Sequence, residues 1–539
     1  MTLALDFGTC NSVLARWNAA TRQVETVKLD KLSRTYVYRP PGGEARQSSV
    51  IPSLIHYGRG GRVLAGAAVE DAGLTSARET WRWFKLDILN RNANAKIING
   101  EQVSPMRAGE DLIGQVLLAT GGAASEDLVL TMPVESFDHY GDWLRDAVLK
   151  QFRGTVRLLD EATACILGYQ AHVRAGQIYL VFDFGGGTLD VSVVKIADNA
   201  AAGEPPRVLA RAGEEIGGSL VDEWMLAAAR EANRLSEDEV RDVNLALLKQ
   251  TEAAKIALSG GAGQAEVSQF NDMTGRAIHH VFTAEGLRKV LQAERRELQG
   301  LSLYRAIART IERALRAADV RYGAKKSDIR AVFMAGGSSL LLGVAEVVKT
   351  LFTDCAVHCD NPFEAIARGA CRYAGEDINM TLVHDYVVKN WDRERKEYTW
   401  VPIVPKGTRY PTEEPVSKKY LSAASEAATT LGLIVGERSE MVRRNSRYED
   451  VGGVLQEVSA WSATEEQVRV LTPDRRDFVH ADPPCNLGDK RFVIGFGVDE
   501  NRRLTVNLRD LHPNGRSFVE LPNGDRVPLP VRGLPVVKL

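Results

Sequence analysis

Two short stretches of this chain repeat each other, and the repeat restricts the fold more than any other feature. Residues 3–15 read LALDFGTCNSVLA, and residues 180–194 read LVFDFGGGTLDVSVV. Each is an apolar strand ending in Asp-Phe-Gly, a small polar turn and a second strand. In the second copy Val191 and Val193 alternate with Asp190 and Ser192. That period of two marks a strand, where a P-loop or a dinucleotide-binding loop would hand the chain to a helix. Two copies of one glycine-tipped hairpin predict two related lobes facing each other.

Around the hairpins, residues 1–375 alternate short apolar strands (LALDF, LVLTMPV, IYLVFDFG, IRAVFMAGG) with helical spacing near 140–151, 220–235, 239–258 and 284–320. Thr283 is placed to cap the last of these. Such alternation predicts α/β layers. After residue 376 helical patterning fades and alternating segments take over. Phe492, Ile494, Phe496 and Val498 alternate, Asp499–Asn501 turn the chain, and Leu504, Val506 and Leu508 alternate back, which predicts a hairpin. The chain therefore divides into an α/β domain over 1–376, a connecting segment over 377–385 and an all-β domain over 386–539.

Composition narrows the function classes. Among 539 residues, 68 Lys and Arg face 70 Asp and Glu, a net charge of −2, so no basic field draws nucleic acid or anionic lipid. WRWFK at 81–85 mixes aromatic and basic residues but lacks a broader basic face for nucleic acid. No window reaches the apolar length of a membrane helix, and MTLALDFGT enters a strand without a signal core, so a cytoplasmic protein is expected. Six cysteines, at 10, 165, 355, 359, 371 and 485, show no paired framework and are expected to be reduced thiols. CAVHCD brings Cys355, His358 and Cys359 close in sequence, but as a strand it points them to opposite faces, so it reads as structural rather than as a zinc site.

The hairpins suggest their own chemistry. Gly185, Gly186 and Gly187 let backbone amides approach a phosphate, and the Thr188 hydroxyl could reach a terminal one. Asp183 and Asp190 are acceptor-only groups suited to Mg²⁺ through water. Asp6, Gly8 and Thr9 offer the same arrangement from the first copy. Carboxylates beside a polyphosphate repel it unless a cation intervenes, so the pattern implies a metal–nucleotide complex.

Five segments, in order and spacing, resemble the seventy-kilodalton heat-shock chaperones of the DnaK type, within the actin-like ATPase superfamily. They are LALDFGTCNS, LLDEATACILGY, VFDFGGGTLDVSVV, VFMAGGSS and NPFEAIARGA, spanning residues 3–372, supported by IGGSLVDEW and TEAAKIALSG. The resemblance implies a two-lobed actin-like (ribonuclease H-like) ATPase domain followed by a smaller all-β sandwich that binds peptides. It implies ATP or ADP with Mg²⁺, and K⁺ as an accessory ion. By matched position, Asp6 and Asp183, assisted by Asp190, would organise the metal. Thr9, Cys10, Asn11, Gly8 and the Gly185–Thr188 turn would hold phosphates, and Lys85 and Glu161 would place the attacking water. Gly217, Gly218, Gly336, Gly337 and Ser338 would flank the nucleoside, with Glu252 and Lys255 at the ribose and Ser259 near the base.

Departures from the family pattern accompany the matches. Ile256 and Leu340 stand where relatives sandwich adenine between arginines, Phe363 replaces an acidic residue, and Ala162 replaces a proline tied to interdomain coupling. The connecting segment keeps Ile378, Leu382 and Val383 of a leucine-rich run. The helical lid of relatives does not follow the last hairpin, so rapid peptide exchange is expected. The implied function is an ATP-hydrolysing chaperone for unfolded or extended polypeptides, served by a J-domain-type co-chaperone and a nucleotide exchange factor. Two alternatives stand beside it: a nucleotide-gated scaffold for a dedicated partner, and a small-molecule kinase of the same superfamily.

Overall fold

The computed structural model describes residues 2–536 apart from 42, 90–94, 122–126, 134–137, 199–205, 237–238, 240–242, 377–379, 383, 393–395, 424, 442–443, 452–453, 462–464, 473–477, 500–502 and 522–524. The chain forms two units, Met1–Ile378 and Asn379–Leu539.

In the first unit the repeated hairpins are the centres of two sheets. Thr2–Asp6 pairs antiparallel with Asn11–Asn18, and Gln23–Thr26 joins the outer side of that second strand. On the other side of Thr2–Asp6, strands Asp127–Met132 and Val156–Asp160 add in parallel. The second sheet repeats this order. Ile178–Phe184 pairs with Leu189–Lys195, Arg207–Glu214 closes the antiparallel side, and Ile329–Ala335 and Ala356–His358 add in parallel. A likeness visible over one hairpin thus extends to five strands on each side. The inner parallel strands are near-continuous apolar runs, as sheets covered on both faces require; Leu128, Val129, Leu130, Val332, Phe333 and Met334 are all fully buried. The first sheet is lengthened by Arg34–Tyr38 and Arg46–Pro52, the latter pairing Asn11 with Pro52.

Each fifth strand feeds a helix, Glu161–Gly168 in one half and Ala365–Gly375 in the other. These helices cross with backbone against backbone: a Cβ on Gly369 would collide with the carbonyl oxygen of Ala164, and one on Gly168 with that of Ala365. Side chains at the crossing would hold the lobes apart. The predicted helix over 284–320 is two helices, Ala284–Gln292 and Leu303–Tyr322, because Arg295–Leu301 forms a bridged turn between them. Thr283 caps the first, accepting from the Gly286 amide at 3.0 Å. The helix expected over 239–258 is seen as Asn244–Ser259; residues 240–242 lie outside the described part.

In the second unit every named element is a strand. Three four-stranded sheets surround buried Tyr386, Ile403, Val435, Phe478, Phe492 and Phe496. The predicted hairpin pairs Lys490–Val498 with Leu504–Asp510, setting Ile494 opposite Leu508 and Phe496 opposite Val506; residues 500 and 501 of its turn lie outside the described part. Ile378 and Val383 of the expected connecting segment lie outside it too. Between them, Met380–Thr381 pairs with Arg409–Tyr410, and buried Leu382 donates its amide to the Thr408 carbonyl at 2.9 Å. This part of the segment is therefore integrated into the β unit.

Candidate functional site

The two hairpin tips meet across a cleft between the lobes with a cavity volume of about 210 Å³. The tips approach so closely that a Cβ on Gly186 would overlap the Cys10 sulfur. Of the residues singled out from the sequence, Asp6, Gly8, Thr9, Cys10, Asn11, Lys85, Glu161, Asp183, Gly185, Gly186, Thr188, Gly218, Glu252, Lys255, Ser259, Gly336, Gly337 and Ser338 all line this cleft. Gly187, Gly217 and Asp190 do not. Gly187 packs against Leu86, Gly217 lies directly under the Gly186–Gly187 peptide, and Asp190 faces Asp183 across the hairpin.

The centre of the cleft is acidic. Asp6 and Asp183 end equivalent strands, and Glu161 opens the helix capped by Asp160, whose side chain accepts from the Thr163 amide at 2.8 Å. Burial pushes Asp6 up to about 6; the Glu161 charge adds to this, while Lys85 and a 2.7 Å hydrogen bond from Thr131 oppose it. Burial also drives Asp183 well above the carboxylate range, reinforced by Glu161, Asp190 and Asp6. Lys85 is buried among them, with Nζ 3.0 Å from Glu161 Oε1. Burial disfavours its charge, but Glu161, Tyr140 and Asp6 outweigh that and hold it protonated. With its side chain 6% exposed, Lys85 is not a snorkelling surface lysine beside Trp81 and Phe84.

On the wall of the cleft, Gly336 adopts φ +77°, which brings its loop against the Phe184 carbonyl without a clashing side chain. Lys255 does not pair with Glu252 one helical turn away. It binds Asp222 at 2.8 Å and donates to the Gly218 carbonyl at 2.8 Å. Asp222, pushed up to about 7 by burial against the pull of Lys255, also lines the cleft. The signal for it was present in IGGSLVDEW, where helix Gly218–Ala232 puts Asp222 one turn after Gly218. Burial pushes the Cys10 thiol up to about 11, and its sulfur sits 3.4 Å from the Ser219 hydroxyl.

Ile256 and Leu340 both line the cleft. Sequence reasoning missed the aromatic wall beside them. Phe363 stacks on Tyr36 with centroids 5.5 Å apart at 8° and meets Tyr38 edge-on at 5.2 Å. Tyr36 and Tyr38 come from strand Arg34–Tyr38, which carries no glycine or acidic signature to mark it.

Comparison with known proteins follows this geometry. The family model described as Hsp70 protein matches residues 123–440. The chain belongs to the Hsp70 family. It is 24% identical to the heat shock 70 kDa protein 6, chloroplastic, of Arabidopsis thaliana over 98% of this chain and 70% of that protein. It is likewise 24% identical, over 98% of this chain and 71% of the relative, to the stromal 70 kDa heat shock-related protein, chloroplastic, of Pisum sativum. The corresponding protein of Spinacia oleracea is 27% identical over 82% of this chain and 69% of its own length. Members of the Hsp70 family are ATP-binding chaperones with ATPase activity, and the two-lobed α/β unit and the β unit are its architecture.

Proposed function

We propose that the cleft binds a magnesium–adenine nucleotide complex and hydrolyses ATP, and that nucleotide state governs capture of extended polypeptide by the β unit. The supporting observation is the buried cluster of Asp6, Asp183 and Glu161. Burial and mutual repulsion oppose the ionised state of Asp6 and Asp183, so a divalent cation at this position fits the donor set. Asp6 and Asp183 would hold it, with Asp190 adding negative charge behind Asp183. Mg²⁺ when bound supplies charge neutralisation for the triphosphate. Thr9, Gly185, Gly186 and Thr188 cradle phosphate between the tips. Lys85, held by Glu161, presents a fixed positive charge, and Glu161 accepts from a water placed for attack. Asp222 orients Lys255, and Tyr36, Phe363, Ile256 and Leu340 exclude water around the base.

Titration of the full chain with ADP, with and without Mg²⁺, followed by ATP turnover with and without an unfolded model polypeptide, tests this reading. Magnesium-dependent uptake and turnover that responds to polypeptide are expected. Uptake indifferent to Mg²⁺ overturns it. A second reading, a nucleotide-gated adaptor with little turnover, is favoured by Ala162. It is buried at the second position of helix Glu161–Gly168, where a proline is also compatible with a helix. The replacement leaves the helix intact and removes a rigid element. Nucleotide binding without stimulation by polypeptide would select the adaptor. A reducing, cytoplasmic setting is proposed on the six free cysteines, and J-domain-type and exchange-factor partners on family membership.

A further inference from the structure

Outside the cleft, the second lobe gathers three metal-ligating side chains that are distant in sequence. His358 ends the edge strand Ala356–His358, Asp360 follows two residues later, and His172 lies in the turn Gln170–His172 after helix Glu161–Gly168. The two imidazoles stack with centroids 4.1 Å apart at 30°. His358 Nδ1 is 3.6 Å from Asp360 Oδ2, and one ligand atom from each of the three residues lies within 4.8 Å of the others. Zinc bonds near 2.0–2.1 Å at tetrahedral angles set ligand atoms about 3.4 Å apart. Closing that gap takes rotations of the His172 side chain out of the stack, because a metal–imidazole bond lies in the plane of the ring. His172 is exposed and can make them, while His358 packs on Phe333 at 5.6 Å and gives a fixed post.

We propose that His172, His358 and Asp360 form a zinc site, with its fourth position open to water or an outside ligand. Two imidazoles and one carboxylate are a donor set suited to zinc. The Asp360 carboxylate has room for a closer cation. Its arginine neighbour, Arg46, stands 3.8 Å away and half exposed, and spends its short hydrogen bonds on the Asp360 carbonyl at 3.1 Å and Asn361 Oδ1 at 2.9 Å. A cavity of about 140 Å³, lined by Pro40, Lys349, Val357, His358 and Asp360, adjoins the cluster and gives an ion access. This site is unlike the zinc reading of CAVHCD. Cys359 is buried, and the missing ligand is His172, brought in by the fold.

The test is calorimetric titration of the chelator-treated full chain with ZnCl₂ in the absence of nucleotide. One saturable site is expected. His172→Ala and Asp360→Asn should each weaken it at least tenfold, and Arg46→Gln should tighten it by removing a competing charge. Because His172 is exposed, its variant keeps the fold, which an unchanged circular dichroism spectrum and thermal midpoint will verify. The same tenfold difference should persist in an Asp183→Asn background, which separates this site from the cleft carboxylates. Absence of saturable binding, or a His172→Ala variant that binds zinc like the parent, overturns the proposal. A thiolate band on cobalt substitution also overturns it, by moving the ligands to cysteine.

Discussion

The two hairpin tips share one backbone plan and differ in what surrounds their aspartates. Asp6 has the Thr131 hydroxyl at 2.7 Å as a donor. Asp183 instead faces a second carboxylate, Asp190, directly across its hairpin. Both are raised by burial, but Asp6 rises to about 6 while Asp183 is driven much further by its acidic neighbours. A duplicated sheet therefore supplies position twice, and single neighbours divide the work. The second aspartate is the harder of the two to keep ionised.

The largest expected effect tests that asymmetry. Asp183→Asn should lower ATP turnover by about 100- to 1000-fold while nucleotide uptake persists, the range seen for loss of a charge-stabilising group, and Asp6→Asn should cost less than that range. Equal losses would mean that the tips are interchangeable. Next comes the helix crossing, where each helix sets a glycine against a backbone carbonyl of the other. Gly369→Val and Gly168→Val should each cost about 3 kcal/mol in denaturant unfolding, since overpacking there meets backbone that cannot move aside. Unequal costs would show that the crossing is less symmetrical than its contacts.

A smaller effect concerns pH. Asp6 ionises at about 6 when folded against 3.8 for the free group, so its contribution to stability is fully present below pH 3.8 and is lost as pH rises through about 6. Asp6→Asn should therefore stabilise the nucleotide-free protein at pH 7 by about 2 kcal/mol. Cation binding works in the opposite sense, because it needs the ionised form. Magnesium-dependent ADP uptake should weaken as pH falls below about 6, which titrations between pH 5 and 8, on the order of five points, would show. A flat profile would remove Asp6 from the metal site. The smallest effect lies at the base end, which has no counterpart in the repeat. Phe363→Ala should weaken adenine nucleotide binding about fivefold, near 1 kcal/mol, the scale of one aromatic contact.

Much of this site was legible because its chemistry is local. A strand, an aspartate and a glycine turn occupy adjacent residues, so LALDFGT and VFDFGGGT announce themselves, and their repetition foretells two lobes. DEATA and the E-x-x-K pair were readable only beside those hairpins, and spacing alone gave no sign that buried Asp222 is the partner of Lys255. Tyr36 and Tyr38 left no trace, since alternating aromatics on a strand look like ordinary core or surface.

By itself, then, the amino-acid order settled the α/β-then-β division, the paired hairpins and the acidic residues at their tips, because periodicity and turn chemistry act between near neighbours. The tertiary structure decided which carboxylate meets which cation, how Phe363 walls the base end and why His172 stands over His358. Those contacts join residues tens to hundreds of positions apart, and burial, which sets their charge and reach, exists only once the lobes have folded.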